Sequence, residues 1–195
     1  MKKSRIIQMV GCALILCSVA AVAVGAVQSR MAEKNARQIA EQIQAILPPV
    51  TPGITDQYSV MEMPVLELEG EDYIALVQVP AFGVSLPVRS GWSGVKIRKF
   101  PCRFHGTVYD GSLIIGGSDQ QGQLDFLTRI QLGDAVLVTD MTGAQFTYKV
   151  SHIGRSSSAS AEILMDETVD LTLFARVGYS MEYILVRCVA DASTY

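Results

Sequence analysis

Histidine is scarce in this sequence, since its 195 residues include only two, His105 and His152. A metal centre built from three imidazoles is therefore excluded, and the Cys-x-x-Cys spacing of many zinc sites does not occur. The chain also lacks a basic surplus. From Tyr73 to the C-terminus it carries ten Lys and Arg against eleven Asp and Glu, which argues against nucleic-acid binding. We expect no metal and no cofactor.

Only four cysteines are present, and two of them, Cys12 and Cys17, lie in an apolar N-terminal run. There they serve most simply as small hydrophobic side chains. Cys102 and Cys188 remain for the rest of the chain. In an oxidising compartment this pair can form one disulfide, whereas two buried free thiols are the alternative. The sequence leaves both open, because it does not give the distance between the two Cα atoms.

Charge is absent from residues 6–29, a run of 24 residues that follows three basic residues among the first five. A helix of that length spans the roughly 30 Å hydrocarbon core of a bilayer. The basic flank predicts that residues 1–5 stay in the cytoplasm and that the rest of the chain lies outside, after a single pass. A cleaved signal peptide is the alternative, since small residues near Ala23 offer a cleavage site. The length of the run favours an uncleaved anchor.

Apolar residues then recur at intervals of four and three over residues 30–47, which is the period of an amphipathic helix. They are Ala32, Ala36, Ile39, Ile43 and Ile46. We expect this helix to pack on the following domain or to stand as a stalk. Residues 48–63 are punctuated by proline and predict a linker. Residues 64–195 then form one extracytoplasmic domain.

Short β-rich runs follow at close intervals, separated by turn residues such as Asp110-Gly111 and Thr142-Gly143. The runs cover residues 73–79, 84–88, 112–117, 135–139, 145–152, 169–175 and 182–189. Apolar and polar residues alternate most clearly at 146–150. Many short strands with few helices indicate a mainly β domain, either a closed barrel or a sandwich.

Four segments of this β region match one known pattern in order and spacing. They are residues 112–119, an amphipathic turn around Phe126 with Gly133-Asp134-Ala135-Val136 after it, residues 170–176, and residues 183–189. Together with residues 73–80 and Leu86-Pro87-Val88, they resemble the sortases, the surface transpeptidases of Gram-positive bacteria. The resemblance covers about residues 64–190. It implies a mostly antiparallel β-barrel of about eight strands with short helices.

Sortases attack a sorting-signal peptide with a cysteine thiolate, aided by a histidine and an arginine. In this sequence Ser118 stands where the family has its histidine, Arg176 stands where it has its cysteine, and Arg187 corresponds to its arginine. An arginine is always protonated and has no lone pair with which to attack a carbonyl. Ser118 needs a base within hydrogen-bond reach to act as a nucleophile, and no histidine is near it in the sequence. The resemblance therefore implies a catalytically degenerate sortase.

Arg176 and Arg187 lie on neighbouring predicted strands, and we expect them to be close together. Two such charges need a counter-charge, for which Asp119 is the candidate. An Asp119–Arg176 ion pair would fill the site, whereas unpaired arginines would bind an anion such as a peptide C-terminus or a phosphate.

Two further segments depart from the sortase pattern. Residues 153–168 correspond to the sortase loop that covers substrate, and their serines and alanines predict a flexible loop with few apolar anchors. Residues 177–180 differ from the Thr-Tyr pair that usually follows the family's cysteine directly. These differences extend the loss of the family pattern from the chemistry to the substrate groove.

These features predict a single-pass membrane protein of the bacterial cell surface whose sortase-like domain binds other proteins. The resemblance implies partners such as an active sortase, wall-anchored proteins or pilin-like proteins, in surface-protein or pilus assembly. An atypical active cysteine transpeptidase or hydrolase that acts on sorting-signal peptides is the alternative. A purely structural stalk and barrel is the third hypothesis.

Overall fold

The computed structural model describes residues 2–55, 61–94, 96–120, 122–178, 180 and 182–191. Within these residues the chain forms two α-helices and ten β-strands. The helices are α1 (Lys2–Ile46) and α2 (Ala161–Leu164). The strands are β1 (Thr51–Pro52), β2 (Leu66–Leu68), β3 (Glu71–Val79), β4 (Val84–Arg89), β5 (Cys102–His105), β6 (Leu113–Ser118), β7 (Ala135–Asp140), β8 (Ala144–Ser156), β9 (Leu171–Arg176) and β10 (Tyr183–Ala190). Short 3₁₀ helices cover Pro80–Phe82, Lys96–Arg98 and Asp125–Thr128.

Eight of the strands close into a barrel. Going round it, β8 is followed by β10, β9, β6, β5, β4, β3 and β7, and β7 pairs again with β8. Only the β6–β9 and β4–β5 pairs in this ring are parallel. β1 and β2 add short edge pairings to β8 and β3. The mainly β fold and the mostly antiparallel, eight-stranded barrel predicted from the sequence are confirmed.

The seven predicted β-rich runs correspond to the seven longest strands, and β1, β2 and β5 are additional. Burial alternates along β8 as the sequence predicts, since Phe146, Tyr148 and Val150 are buried while Lys149 is exposed. Such alternation places one face of each strand in the barrel core and the other face outside. The predicted amphipathic turn is the 3₁₀ helix at Asp125–Thr128, where Phe126 is fully buried.

Helix α1 joins the predicted anchor and the predicted amphipathic segment, residues 6–29 and 30–47, in one helix of 45 residues. No glycine or proline interrupts the chain between residues 26 and 46, so nothing in the sequence ends the helix at the membrane boundary. The segment Leu14–Ile46 is long and apolar enough to cross a membrane.

The last part of α1 packs against the barrel beside β4. Four of its side chains are buried there, namely Ala36, Ile39, Ala40 and Ile43. Burial of an isoleucine such as Ile43, which is 0% exposed, contributes about 1.5–3 kcal/mol. Of the two arrangements left open by the sequence, the helix therefore takes the packed one rather than standing free as a stalk.

The predicted linker at 48–63 is partly paired with the edge of the barrel. Thr51 and Pro52 pair with β8, and the amide of Gly53 donates a hydrogen bond of 2.7 Å to the carbonyl of Gln145. A Cβ on Gly53 would come within 2.5 Å of the Phe146 ring, so only glycine allows this close approach. Met63 is buried in the core, whereas residues 56–60 lie outside the described part of the chain. The described part of the segment is therefore bound to the barrel by hydrogen bonds and packing rather than being a free linker.

Candidate functional site

The candidate site lies on the outer face of the barrel, where β6 and β9 end side by side. The odd-numbered residues of β9 pack in the barrel core, so its even-numbered residues lie on the outer face. Ser118, the last residue of β6, is the register partner of Arg176, the last residue of β9. Because the two strands are parallel, their side chains share this outer face.

A cleft of about 750 Å³ opens over these strand ends. Its polar lining includes Ser118, Asp119 and Arg176. Its apolar lining is largely aromatic and is formed by Trp92, Phe104, Phe174 and Tyr183. The cleft thus combines a small charged corner with an aromatic wall.

The aromatic wall depends on a glycine beneath it. A Cβ on Gly116 would lie 2.3 Å from the ring of Phe174 and 2.6 Å from the ring of Trp92. The two rings are 5.5 Å apart, and Phe104 meets Trp92 edge-on at 5.1 Å. Trp92 is still 40% exposed, so one surface of this packed cluster faces the cleft. Such rings present apolar area at a low cost in conformational entropy.

Arg176 is exposed and makes no hydrogen bond or ion pair with the described residues. The hydroxyl of Ser118 is buried and likewise has no hydrogen-bond partner among them. An unsatisfied buried hydroxyl is unfavourable, by about 1–3 kcal/mol. The two neighbouring groups therefore leave hydrogen-bonding capacity for a ligand.

The predicted Asp119–Arg176 ion pair does not occur in the structure. Asp119 accepts a hydrogen bond from the backbone amide of Gly178, in the connection that follows β9. The carboxylate of Asp119 thus fixes the start of that connection, and Arg176 lines the same cleft without pairing with it. Tyr179, in the segment predicted to depart from the family pattern, lies outside the described residues.

Arg187 was predicted to lie beside Arg176, and this prediction is wrong. In the β9–β10 pairing Arg187 is opposite Thr172, whereas Tyr183 is opposite Arg176. Thr172 precedes Arg176 by four residues, a separation of about 13 Å along a strand. The antiparallel register causes the separation, since each step forward on β10 pairs with a step backward on β9.

Arg187 has a structural role at the far end of the outer face. Its guanidinium donates a hydrogen bond of 2.8 Å to the carbonyl of Ile163 and lies 3.5 Å from the carboxylate of Asp166. Hydrogen bonds from Thr168 hold the pKa of Asp166 below its usual value, and the positive charge of Arg187 lowers that pKa further. Arg187 therefore fastens α2 and the turn after it to β10.

The segment 153–168 is better anchored than the sequence predicts. β8 continues to Ser156, and α2 follows after a short connection. Leu164 is fully buried in a small outer cluster with Phe174 and Leu185, and Ile163 packs against the same cluster. Two apolar side chains in a single helical turn are enough to anchor the loop. The high serine content of the segment had predicted a flexible loop instead.

Cys102 and Cys188 are free thiols in the structure, which is the second of the two alternatives that the sequence left open. Both are buried away from the cleft, with Cys102 at the start of β5 and Cys188 in the barrel core. Burial raises the pKa of Cys102 to about 11 and that of Cys188 to about 12. Neither is therefore a thiolate near neutral pH. Cys17 is exposed on α1, and the side chain of Cys12 lies outside the described residues.

Neither histidine reaches the cleft. His105 ends β5 and His152 lies within β8 opposite Arg187, and both are exposed. The described residues that line the cleft include no cysteine and no histidine. The geometry thus provides a cationic group and aromatic surface, but neither an imidazole base nor a thiol.

Sequence reasoning missed the residues that reach the cleft from the connection between β4 and β5. They are Trp92, Gly94 and Ile97. The available signal was the single tryptophan of the chain, placed between small residues in Gly91-Trp92-Ser93-Gly94. A large aromatic side chain in such a loop commonly packs on a surface that the flanking strands create.

The sequence matches no protein-family model and no curated protein. Solved structures do match. A sortase D5 transpeptidase from Clostridium perfringens is 19% identical with a TM-score of 0.54, over 67% of this chain and 83% of that one. Sortase A from Corynebacterium diphtheriae is 19% identical with a TM-score of 0.53, over 84% of each chain. A Group B Streptococcus pilus island 1 sortase C2 is 17% identical with a TM-score of 0.54, over 82% of this chain and 97% of that one.

These similar structures include sortases A, C and D. At 17–19% identity such likenesses establish the fold and leave the activity to be argued from the site itself. The chain has the sortase fold.

Proposed function

We propose that this chain is a membrane-anchored protein of the bacterial cell surface whose sortase-fold domain binds a protein segment without catalysing its transfer. Its role would be that of an accessory factor in the assembly of surface proteins or pili. One observation carries this proposal. At the end of β9, beside Ser118, the cleft holds the guanidinium of Arg176, which has no partner among the described residues, rather than a group that can attack a peptide bond.

The chemistry of acyl transfer needs a group that is both a nucleophile and a good leaving group. Arg176 is always protonated and cannot take this role. The thiols of Cys102 and Cys188 are buried outside the cleft and have raised pKa values. The hydroxyl of Ser118 has no base within hydrogen-bond distance among the described residues. These features favour binding over catalysis.

The cleft has the features of a surface that takes an extended segment. Its volume of about 750 Å³ accommodates several residues of peptide. The exposed surface of Trp92 and the partly exposed rings of Phe104 and Tyr183 supply apolar contact area. Aromatic residues of this kind dominate the energetics of protein interfaces. The polar corner at Ser118 and Arg176 would fix the orientation of the bound segment.

The continuous helix α1 supports a site close to the membrane. The predicted span ends at residue 29, and Glu33 already touches the barrel, since a Cβ on Gly122 would lie 2.6 Å from the Cα of Glu33. Four residues of helix cover about 6 Å. Gly122 belongs to the loop after β6, and this loop also contributes Asp119 and Gln120 to the cleft. A partner tethered to the same membrane would therefore reach the cleft easily.

The basic residues before the apolar run favour a cytoplasmic N-terminus and an extracellular barrel. In that compartment the candidate partners are an active sortase and the wall-anchored or pilin-like proteins that such enzymes handle. One of the similar structures is a sortase of a streptococcal pilus island, which fits this setting.

Site-specific photo-crosslinking in the native host tests the proposal. A benzoylphenylalanine in place of Ile97 lies in the cleft, and one in place of Leu132, which is 66% exposed on another surface, is the matched control. We expect a discrete crosslinked envelope protein from the Ile97 position and not from the Leu132 position. Equal or absent crosslinking at both positions would contradict a binding role for the cleft and would favour a purely structural barrel.

A further inference from the structure

We propose that Ser118 and Arg176 form a carboxylate-binding subsite that holds the free C-terminus of a peptide, with the peptide's last side chain against the aromatic wall. The inference rests on the proposed function, because it names the ligand of the same cleft. It starts from the Ser118 hydroxyl at the end of β6, which has no hydrogen-bond partner among the described residues, and from the exposed guanidinium of Arg176 at the end of β9.

Charge and geometry favour a carboxylate. Arg176 presents a planar fork of N–H donors that matches the two oxygens of a carboxylate, and its guanidinium makes no contact with an acidic group among the described residues. Ser118 is its register partner and its hydroxyl can donate one further hydrogen bond. Arg176 therefore offers two donors to the cleft, and rotation of the buried Ser118 hydroxyl adds a third.

A phosphate fits this corner less well. Arg176 and Asp119 are the two charged residues among the described residues that line the cleft, so their formal charges cancel. Asp119 is held by the amide of Gly178 and cannot move away from an incoming anion without losing that bond. A singly charged carboxylate faces weaker repulsion from Asp119 than a doubly charged phosphate does, and it needs fewer donors.

The position of the aromatic residues favours a chain terminus over an acidic side chain. Tyr183 lies directly opposite Arg176, and Phe174 is the preceding outward-facing residue on the same strand. A terminal carboxylate is attached to the same Cα as the last side chain. One residue can therefore occupy the cationic corner and the aromatic wall at once, whereas an acidic side chain would bring its own backbone against the rings.

The fluorescence of Trp92, the single tryptophan of the chain, provides the measurement. The full chain in lipid nanodiscs would be titrated with acetyl-Ala-Phe bearing a free carboxylate and with the corresponding C-terminal amide. We expect saturable binding of the acid and binding of the amide that is weaker by about tenfold or more. Acetyl-Glu-Phe amide and inorganic phosphate, the two other anion sources, should bind no better than the amide.

Variants identify the groups responsible. Arg176→Gln should abolish the preference for the acid without affecting folding, because this side chain is exposed and makes no bond to the described residues. Ser118→Ala should weaken binding of the acid several-fold. Arg129→Gln, which removes an exposed charge outside the cleft, is the control and should change nothing.

Two groups of results overturn the subsite. Equal affinities for acid and amide, or an acid preference that survives in Arg176→Gln, would show that the cleft binds peptide without reading its carboxylate, and the proposed function would stand. The failure of all four probes to bind, or tighter binding of phosphate or of the glutamate peptide than of the acid, would also reject it. Crosslinking at Ile97 would still report separately on whether the cleft binds a protein.

Discussion

Arg187 lies opposite Thr172 in the β9–β10 pairing, and this register places its guanidinium against α2 rather than in the cleft. The same pairing leaves Arg176 beside Tyr183. Two arginines that appear as neighbours in the sequence pattern therefore have separate roles. Arg187 stabilises the fold, and Arg176 is available to a ligand.

Replacement of Arg187 by Met should destabilise the domain by about 1–3 kcal/mol, because it removes the bond to the carbonyl of Ile163 and the ion pair with Asp166 in a partly buried setting. Denaturant unfolding of the two proteins gives the difference. Arg155→Met is the control. It breaks the Arg155–Glu182 pair, which is shorter at 2.8 Å but about half exposed, and it should cost less than about 1 kcal/mol. Equal losses in the two variants would contradict the role given to Arg187.

Asp119→Ala should cost only about 1 kcal/mol, since it removes one hydrogen bond to the amide of Gly178. Arg176→Ala should not rescue this loss, because the two side chains form no ion pair in the structure. A double-mutant cycle measured by thermal unfolding tests both statements. A coupling energy well above 1 kcal/mol between Asp119 and Arg176 would show that the ion pair expected from the sequence does form.

The buried thiols give a prediction for alkaline pH. Burial raises the folded-state pKa of Cys102 to about 11 and that of Cys188 to about 12, above the value of about 8.5 for an unfolded thiol. The folded state then retains protons that the unfolded state loses, so stability should fall as pH rises above about 8.5. Cys188→Ala should flatten this dependence.

The reactivity of the same two thiols gives an independent control. Iodoacetamide mapping should find Cys102 and Cys188 reduced, unmodified in the folded protein and modified after denaturation. Rapid alkylation of either thiol in the folded state, or recovery of the two joined as a disulfide, would contradict the burial described above.

The sequence predicted the barrel well because strand formation depends on local alternation and turn residues. All seven predicted runs are strands, whereas β1, β2 and β5 escaped notice because two to four residues carry too little periodicity. The sequence did not predict whether Ala36 and Ile43 pack on the barrel, because an amphipathic pattern shows that a helix face is apolar but not which surface covers it.

The candidate site was harder to predict because its composition depends on register. Ser118 and Arg176 were identified from the resemblance to sortases, as the positions of the family's histidine and cysteine, and the structure brings them together. The place of Arg187 depended on which residue of β10 pairs with Arg176, and that is set by the length and shape of the connection between the strands. Trp92 and Phe104 reach the cleft through tertiary packing that no local pattern encodes.

The membrane topology is open to direct measurement. Trypsin added to wall-free cells should cut after Arg30 or Lys34, both exposed on α1, and release the barrel. An N-terminal stub with its basic flank should stay with the membrane, because residues 6–29 carry no charge. Protection of the barrel from trypsin would show that the orientation is the reverse of the predicted one. Recovery of a soluble secreted form that starts near Val27 would support a cleaved signal peptide.

Acyl transfer tests the central claim most directly. The full chain would be incubated with a Leu-Pro-Ala-Thr-Gly peptide and an amine acceptor, beside an active sortase as the positive control. Intact-mass spectrometry and chromatography of the peptide would follow. The Arg176 guanidinium in the cleft and the two buried thiols predict no acyl adduct and no product. An adduct on Cys102, Cys188 or Ser118, or turnover that alkylation removes, would show instead that the domain is an active enzyme.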